Sequence, residues 1–247
     1  MLATHPDPQP RSHNPGASIS HSKARERGTM TAPTDALVAG FASGATRTLK
    51  AKDHLFCEGD EATHVFYVEA GLVCIYRMIS DGRRQVLDFA HPGDIVGLGA
   101  LSIHAASAQA TAYTRLRCLS RKHLNDLAAR DPRLSARLYE TLSEELSATR
   151  EHLFAVSQCN ATERLASFLL SLSRRNARRG EDATEIVLPM MRADIADFLG
   201  LTIETVSRTF TKLRCEGLID IEHCVLVTIR DADSLAFVAA GSCAPPN

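Results

Sequence analysis

Residues 191–215 read MRADIADFLGLTIETVSRTFTKLRC, and their spacing admits few folds. Two short amphipathic helices are separated by a tight Gly200-Leu201-Thr202 turn. In the second helix Val206, Phe210 and Leu213 recur at i, i+4 and i+7, which lines up one apolar stripe. Glu204, Ser207 and Arg208 recur at i, i+3 and i+4 and so share a different face. Helix, glycine turn and helix is the unit that lays its second helix in the major groove of DNA. A carboxylate, a hydroxyl and a guanidinium near that helix's N-terminus match the donors and acceptors of base edges.

The rest of the chain must supply the context for this pair. At 247 residues it can hold two compact domains, and 45% hydrophobic residues suffice for real cores. The net charge of −1 means that any nucleic-acid site is a local patch. Residues 164–214 hold nine Arg/Lys against six Asp/Glu, a modest basic excess in the right place. Seven cysteines, at 57, 74, 118, 159, 215, 224 and 243, include no C-x-x-C pair. With no secretory h-region and no apolar run of bilayer length, a reduced cytoplasmic protein without a membrane partner is expected. The ten histidines include no H-x-x-x-H pair, so no metal site is expected, and no nucleophile–base pair or phosphate-cradling loop points to an enzyme.

Five segments follow from composition and periodicity. Residues 1–44 read as a disordered extension, most clearly over 1–29, which are rich in Pro, Ser, His, Arg and Gly; Met30 is a candidate natural start. Over 45–130, short runs such as His64-Val65-Phe66-Tyr67-Val68, Leu72-Val73-Cys74-Ile75-Tyr76 and Gln85-Val86-Leu87-Asp88-Phe89 alternate with glycine turns. Strands at about ten-residue spacing read as a β-barrel or jelly roll, with Asp81-Gly82 a hairpin turn. Over 131–158 the period turns helical, starting at Asp131-Pro132. There Tyr139, Leu142, Leu146, Thr149, Leu153 and Val156 step by three and four residues, a heptad seam that suits a two-helix dimer interface, the alternative being a helix packed on its own β-domain. Over 159–240 come a helix from Ala161, the helix pair, a two-stranded wing (217–221 and 225–229) and a last helix from Asp231 to Ala239. Residues 241–247 form a tail. The expected class is α+β: an N-terminal β-roll, a long dimerisation helix and a C-terminal winged helix-turn-helix.

This order of parts resembles the Crp/Fnr family of bacterial transcription regulators. Matching motifs are Phe56-Cys57-Glu58-Gly59-Asp60, the Gly71 turn, His91-Pro92-Gly93-Asp94 and Glu204-Thr205-Val206-Ser207-Arg208. Glu-x-x-Ser-Arg on the reading helix looks like the FNR/FixK branch. The cyclic-AMP receptor branch has an arginine and a glycine where this chain has Ile203 and Ser207. Leu188-Pro189-Met190 before Arg192-Ala193-Asp194-Ile195 also looks FixK-like.

The resemblance implies a homodimer that binds double-stranded DNA and RNA polymerase. It would act mostly as an activator in an oxygen-limitation type of response, on a TTGAT-n4-ATCAA-like palindrome. It implies base contacts from Ile203, Glu204, Ser207 and Arg208, and phosphate contacts from Arg192, Thr202, Thr205, Thr209 and Lys212, with Thr202 as N-cap. Cyclic-nucleotide binders of the family hold the phosphate with a Glu and an Arg, yet Gly97 to Ala110 contains neither. The cysteine set that holds an iron–sulfur cluster is also missing: Cys118 lies near one ligand's place, but no cysteine precedes Cys57. Haem leaves only His91 and Cys57 as candidates. No cofactor is therefore expected. The alternatives are an effector-gated or redox-gated regulator of the same family, or a repressor. Cys215, beside Arg214 at the end of the reading helix, is the candidate redox residue, against the simpler expectation of a half-buried structural thiol.

Overall fold

Among the described residues the first regular element is a helix, α1 (Ala36–Phe41), inside the stretch expected to be disordered. Six residues are too few to hold a helix by propensity. Tertiary burial does it: Leu37 and Phe41 are almost wholly buried, and the Asp35 side chain accepts from the Leu37 N–H at 2.9 Å. The structure, a computed structural model, describes residues 35–99, 101–223 and 225–241. The expectations for residues 1–29, for Met30 and for nearly all of the 241–247 tail lie outside these.

The glycine-punctuated runs pair as antiparallel strands: β1 (Ala45–Leu49), β2 (His54–Phe56), β3 (His64–Ala70), β4 (Val73–Met78), β5 (Arg84–Ala90), β6 (Ile95–Val96), β7 (Ser107–Ala110) and β8 (Thr114–Ser120). One sheet has the order β1-β8-β3-β6, the other β2-β7-β4-β5. Between them lie Leu49, Leu55, Phe66, Val68, Val73, Val96, Ala108, Ala110 and Leu116, so the interior of the roll is filled by its own side chains. The β4–β5 turn has the chemistry its sequence promised. Gly82 takes φ +84°, which costs glycine little, and Asp81 accepts from the Arg83 N–H at 3.0 Å.

Each sheet is also covered on its outer face. The first is covered by α1, by α2 (Arg121–Arg130) and by the start of α3 (Pro132–Gln158), through Leu37, Phe41, Val65, Leu119, Leu124 and Leu134. Helix α2 went unread in the sequence, where residues 121–130 passed as the end of the roll; its N-cap Ser120 accepts from the His123 N–H. The second sheet is covered by the C-terminal part of the chain. Cys74, Tyr76, Val86 and Phe89 belong to one cluster with Leu165, Phe168, Leu169, Ile195, Leu199, Val206 and Phe210. A bulge makes this possible. Ile75 pairs with Asp88 but Tyr76 pairs with Val86, so Leu87 is the extra residue and Val86 and Phe89 turn to the same face.

The C-terminal part runs α4 (Ala161–Arg178), β9 (Glu185–Val187), α5 (Arg192–Leu199), α6 (Ile203–Cys215), β10 (Ile219–Glu222), β11 (Leu226–Ile229) and α7 (Ala232–Ala240). The wing is three-stranded, in the order β10-β11-β9, rather than two-stranded. Strand β9 was missed because three residues carry no legible alternation; only pairing with Leu226, Val227 and Thr228 makes them a strand.

Candidate nucleic-acid interface

Helix α5 begins where the Met191 N–H donates to Asp194 Oδ2 at 2.9 Å. It ends at Gly200, whose φ of +64° lies in the left-handed region that stops a helix. Two residues on, Thr202 caps α6: its hydroxyl accepts from the Thr205 N–H at 3.2 Å. The apolar stripe is buried as expected, with Val206 and Leu213 fully enclosed and Phe210 nearly so. Each such side chain contributes about 1.5–3 kcal/mol to holding α6 on its floor.

The opposite face is open. Ile203 is 48% exposed, and Glu204, Ser207 and Arg208 are exposed beside it. The Glu204 carboxyl is held below the usual carboxylate range by its own backbone N–H, by the Thr202 hydroxyl and by the charge of Arg208. It is thus an ionised acceptor at neutral pH, adjoining a guanidinium donor.

The residues expected at phosphates divide. The Thr202 and Thr205 hydroxyls sit 3.1 Å apart at the start of α6. Lys212 is exposed, its Nζ 3.5 Å from the Thr162 hydroxyl at the start of α4. Arg192 lays its guanidinium over the Phe210 ring at 3.6 Å, joining the start of α5 to α6. Thr209 is a correction: it is 5% exposed and its hydroxyl donates to the Thr205 carbonyl at 2.8 Å, so it faces the helix floor. Its place, three residues after Val206 and four before Leu213, puts it on the buried side of the helix and carried that signal. Sequence reasoning also missed Thr162, because nothing local joins it to Lys212, and His223, which turns the wing with φ +50°.

Among the described residues, most of the expected seam along α3 has no partner. Tyr139, Leu142, Leu146 and Leu153 are 45–73% exposed. Thr149 is exposed and donates to the Glu145 carbonyl. Val156 departs from the seam: it is half-buried, with its Cγ1 close to where a side chain at Gly200 would start.

The cysteines and the roll interior bear on the alternatives. Cys215 is exposed, not half-buried. Burial pushes the Cys74 thiol up to about 12 and raises Cys118, which suppresses their thiolates. The stretch from Gly97 to Ala110 is tied down by Arg121, which donates to the Gly97 and Leu101 carbonyls, and His104 stacks on Phe56 at 3.5 Å.

Comparison with known proteins agrees with this geometry. Residues 46–131 match the cyclic nucleotide-binding domain family, and residues 163–237 match the Crp-like helix-turn-helix domain family. The chain belongs to the Crp/Fnr family of transcription regulators and is not an enzyme. Within that family it is similar to the nitrogen fixation regulation protein FixK of Azorhizobium caulinodans, 38% identical over 78% of this chain and 79% of that protein. The transcriptional activator protein FnrA of Stutzerimonas stutzeri is 33% identical over 79% of this chain and 81% of that protein. Among solved structures, FixK2 from Bradyrhizobium japonicum superposes with a TM-score of 0.74 at 32% identity, covering 81% of this chain and 98% of that one. The chain is thus a FixK/FNR-type regulator with a DNA-binding helix-turn-helix.

Proposed function

We propose that the protein is a homodimeric, cytoplasmic activator that reads a TTGAT-n4-ATCAA-like palindrome and recruits RNA polymerase in an oxygen-limitation type of response. The observation that carries this reading is the open face of α6. Ile203, Glu204, Ser207 and Arg208 are all exposed on the first turns of a helix whose other face is locked into the core. Glu204 accepts from a cytosine N4, Arg208 donates to guanine O6 and N7, Ser207 meets a neighbouring base, and Ile203 touches a thymine methyl. Arg192, Thr202, Thr205 and Lys212 position the helix on phosphates. Two copies pair through Tyr139, Leu142, Leu146, Thr149 and Leu153, which sets the two reading helices about 34 Å apart, one turn of DNA. The roles of the relatives, a transcriptional activator and nitrogen-fixation regulators, support the activating role.

Footprinting and titration on the palindrome test this. Arg208→Ala costs about 1–3 kcal/mol on the palindrome and little on random DNA. An equal loss on both sequences would move Arg208 from base reading to the backbone.

A further inference from the structure

Besides the hydrophobic core they share with the roll, the reading helices are attached to the rest of the molecule in two ways. One attachment is covalent, through α3 and α4. The other is a side-chain clamp from the β4–β5 hairpin. Arg84, the first residue of β5, sends Nη2 to Asp194 Oδ1 and Nε to Asp197 Oδ2 at 3.3 Å. Its guanidinium also lies over the Tyr76 ring, 5.3 Å from the centroid. The neighbouring Gln85 donates from Nε2 to the Asp197 backbone carbonyl at 2.6 Å.

Asp194 and Asp197 are three residues apart on α5, so one planar guanidinium spans one helix face. Asp194 is also the residue whose other oxygen caps α5. The Arg84 side chain is only 26% exposed and that of Asp194 only 11%. Losing either partner leaves a half-buried charge unmatched. Beneath the clamp, Phe198 of α5 packs on Phe89 at 5.4 Å, on Phe168 at 5.6 Å and on His152 of α3 at 4.0 Å. Helix α5 is therefore gripped by the roll on one side and linked to α6 on the other, by the Gly200 turn and by Arg192 over Phe210.

We propose that Arg84 is a positioning residue for operator recognition: by clamping α5 to the roll it holds α6 at one angle to α3, and so sets which half-site spacing the protein accepts. Arg84 lies outside the reading face and acts only through α5. The inference rests on the dimeric reading proposed above. A dimer whose reading helices are held rigidly meets two half-sites at one separation, and a dimer with loosened helices tolerates others.

The test uses full-length wild type, Arg84→Ala and Arg84→Lys on palindromes with three-, four- and five-base spacers and on a single half-site. Wild type is expected to prefer one spacer at least tenfold. Arg84→Ala is expected to lose that preference to within about threefold while keeping its half-site affinity and its sedimentation as a dimer. Arg84→Lys, a point charge that cannot bridge both carboxylates, is expected to fall between. Unchanged spacer preference in Arg84→Ala overturns the proposal. If wild type binds no palindrome, it is the dimeric reading that fails. Hydrogen exchange then decides whether the clamp exists: α5 amides exchange at least tenfold faster in Arg84→Ala while β3 and β8 amides do not, and equal protection of α5 overturns it.

Discussion

His91 shows how one side chain links sequence to stability. It opens the His91-Pro92-Gly93-Asp94 turn, where its N–H donates to Asp94 Oδ2 at 2.8 Å. Asp94 in turn accepts from Arg175 of α4 at 2.5 and 2.6 Å. Burial, followed by the charges of Arg175 and Arg179, depresses the imidazole to about 3. An unfolded chain protonates this group near 6.5, so between 6.5 and 3 the unfolded state binds the extra proton. Stability therefore falls as pH drops through that window. His91 alone removes about 2 kcal/mol between pH 7 and 5. His104 and His152, also lowered by burial first, act in the same direction. Urea midpoints at pH 7 and 5 check this: His91→Gln loses less stability across that interval than wild type does. At this scale the sequence was legible wherever a residue's role is local. Thr202 as N-cap, Asp81-Gly82 as a turn and Pro132 at a helix start depend on neighbours within four residues. Thr209 was misread although its spacing from Val206 and Leu213 already placed it on the buried side, and the half-buried alternative for Cys215 failed because exposure there depends on what packs against the end of α6.

Helix α3 poses the question of which partner an apolar stripe finds. Its first turns are covered within the chain, with Leu134 buried. Glu144 and Glu151 reach Arg178 and Arg174 of α4 at 3.5 and 3.7 Å, exposed pairs that contribute little. The stripe between them and beyond stays open: Tyr139, Leu142, Leu146 and Leu153 are all exposed large hydrophobic residues. On a helix of 27 residues such an exposed stripe is what the proposed coiled-coil seam would need. Leu146→Asp combined with Leu153→Asp is expected to give a folded monomer that has lost palindrome binding, because charges placed in the seam repel across the two-fold axis. Sedimentation as an unchanged dimer would remove the seam from the interface. The helix itself was legible because helical period survives in any environment. Strand β9 and helix α1 were not, because each is short and exists only through the strand or core it meets.

The two family matches, 46–131 and 163–237, suggest two independent domains, yet they share a core. Cys74, Tyr76, Val86 and Phe89 of the roll lie in one cluster with the hydrophobic residues of α4, α5 and α6. Domains joined through a buried core lose it together. Denaturation should therefore be a single transition. All four tyrosines lie between 67 and 139, and there is no tryptophan, so tyrosine fluorescence reports the roll and α3, while backbone hydrogen exchange reports the wing and α4–α6. The two midpoints are expected to coincide in urea, and a separation of more than about 0.5 M would show that the shared cluster does not couple them. By itself the sequence determined what short-range periodicity and turn chemistry encode: the strand runs, the long helix, and the helix pair with its exposed polar face. Only the tertiary structure decided that Leu87 bulges out so that Val86 and Phe89 face α5, and that Arg84 meets two aspartates more than a hundred residues away. Local patterns follow from neighbours in the chain, whereas the partner of a half-buried charge or of a sheet's outer face depends on which surfaces the whole chain brings together.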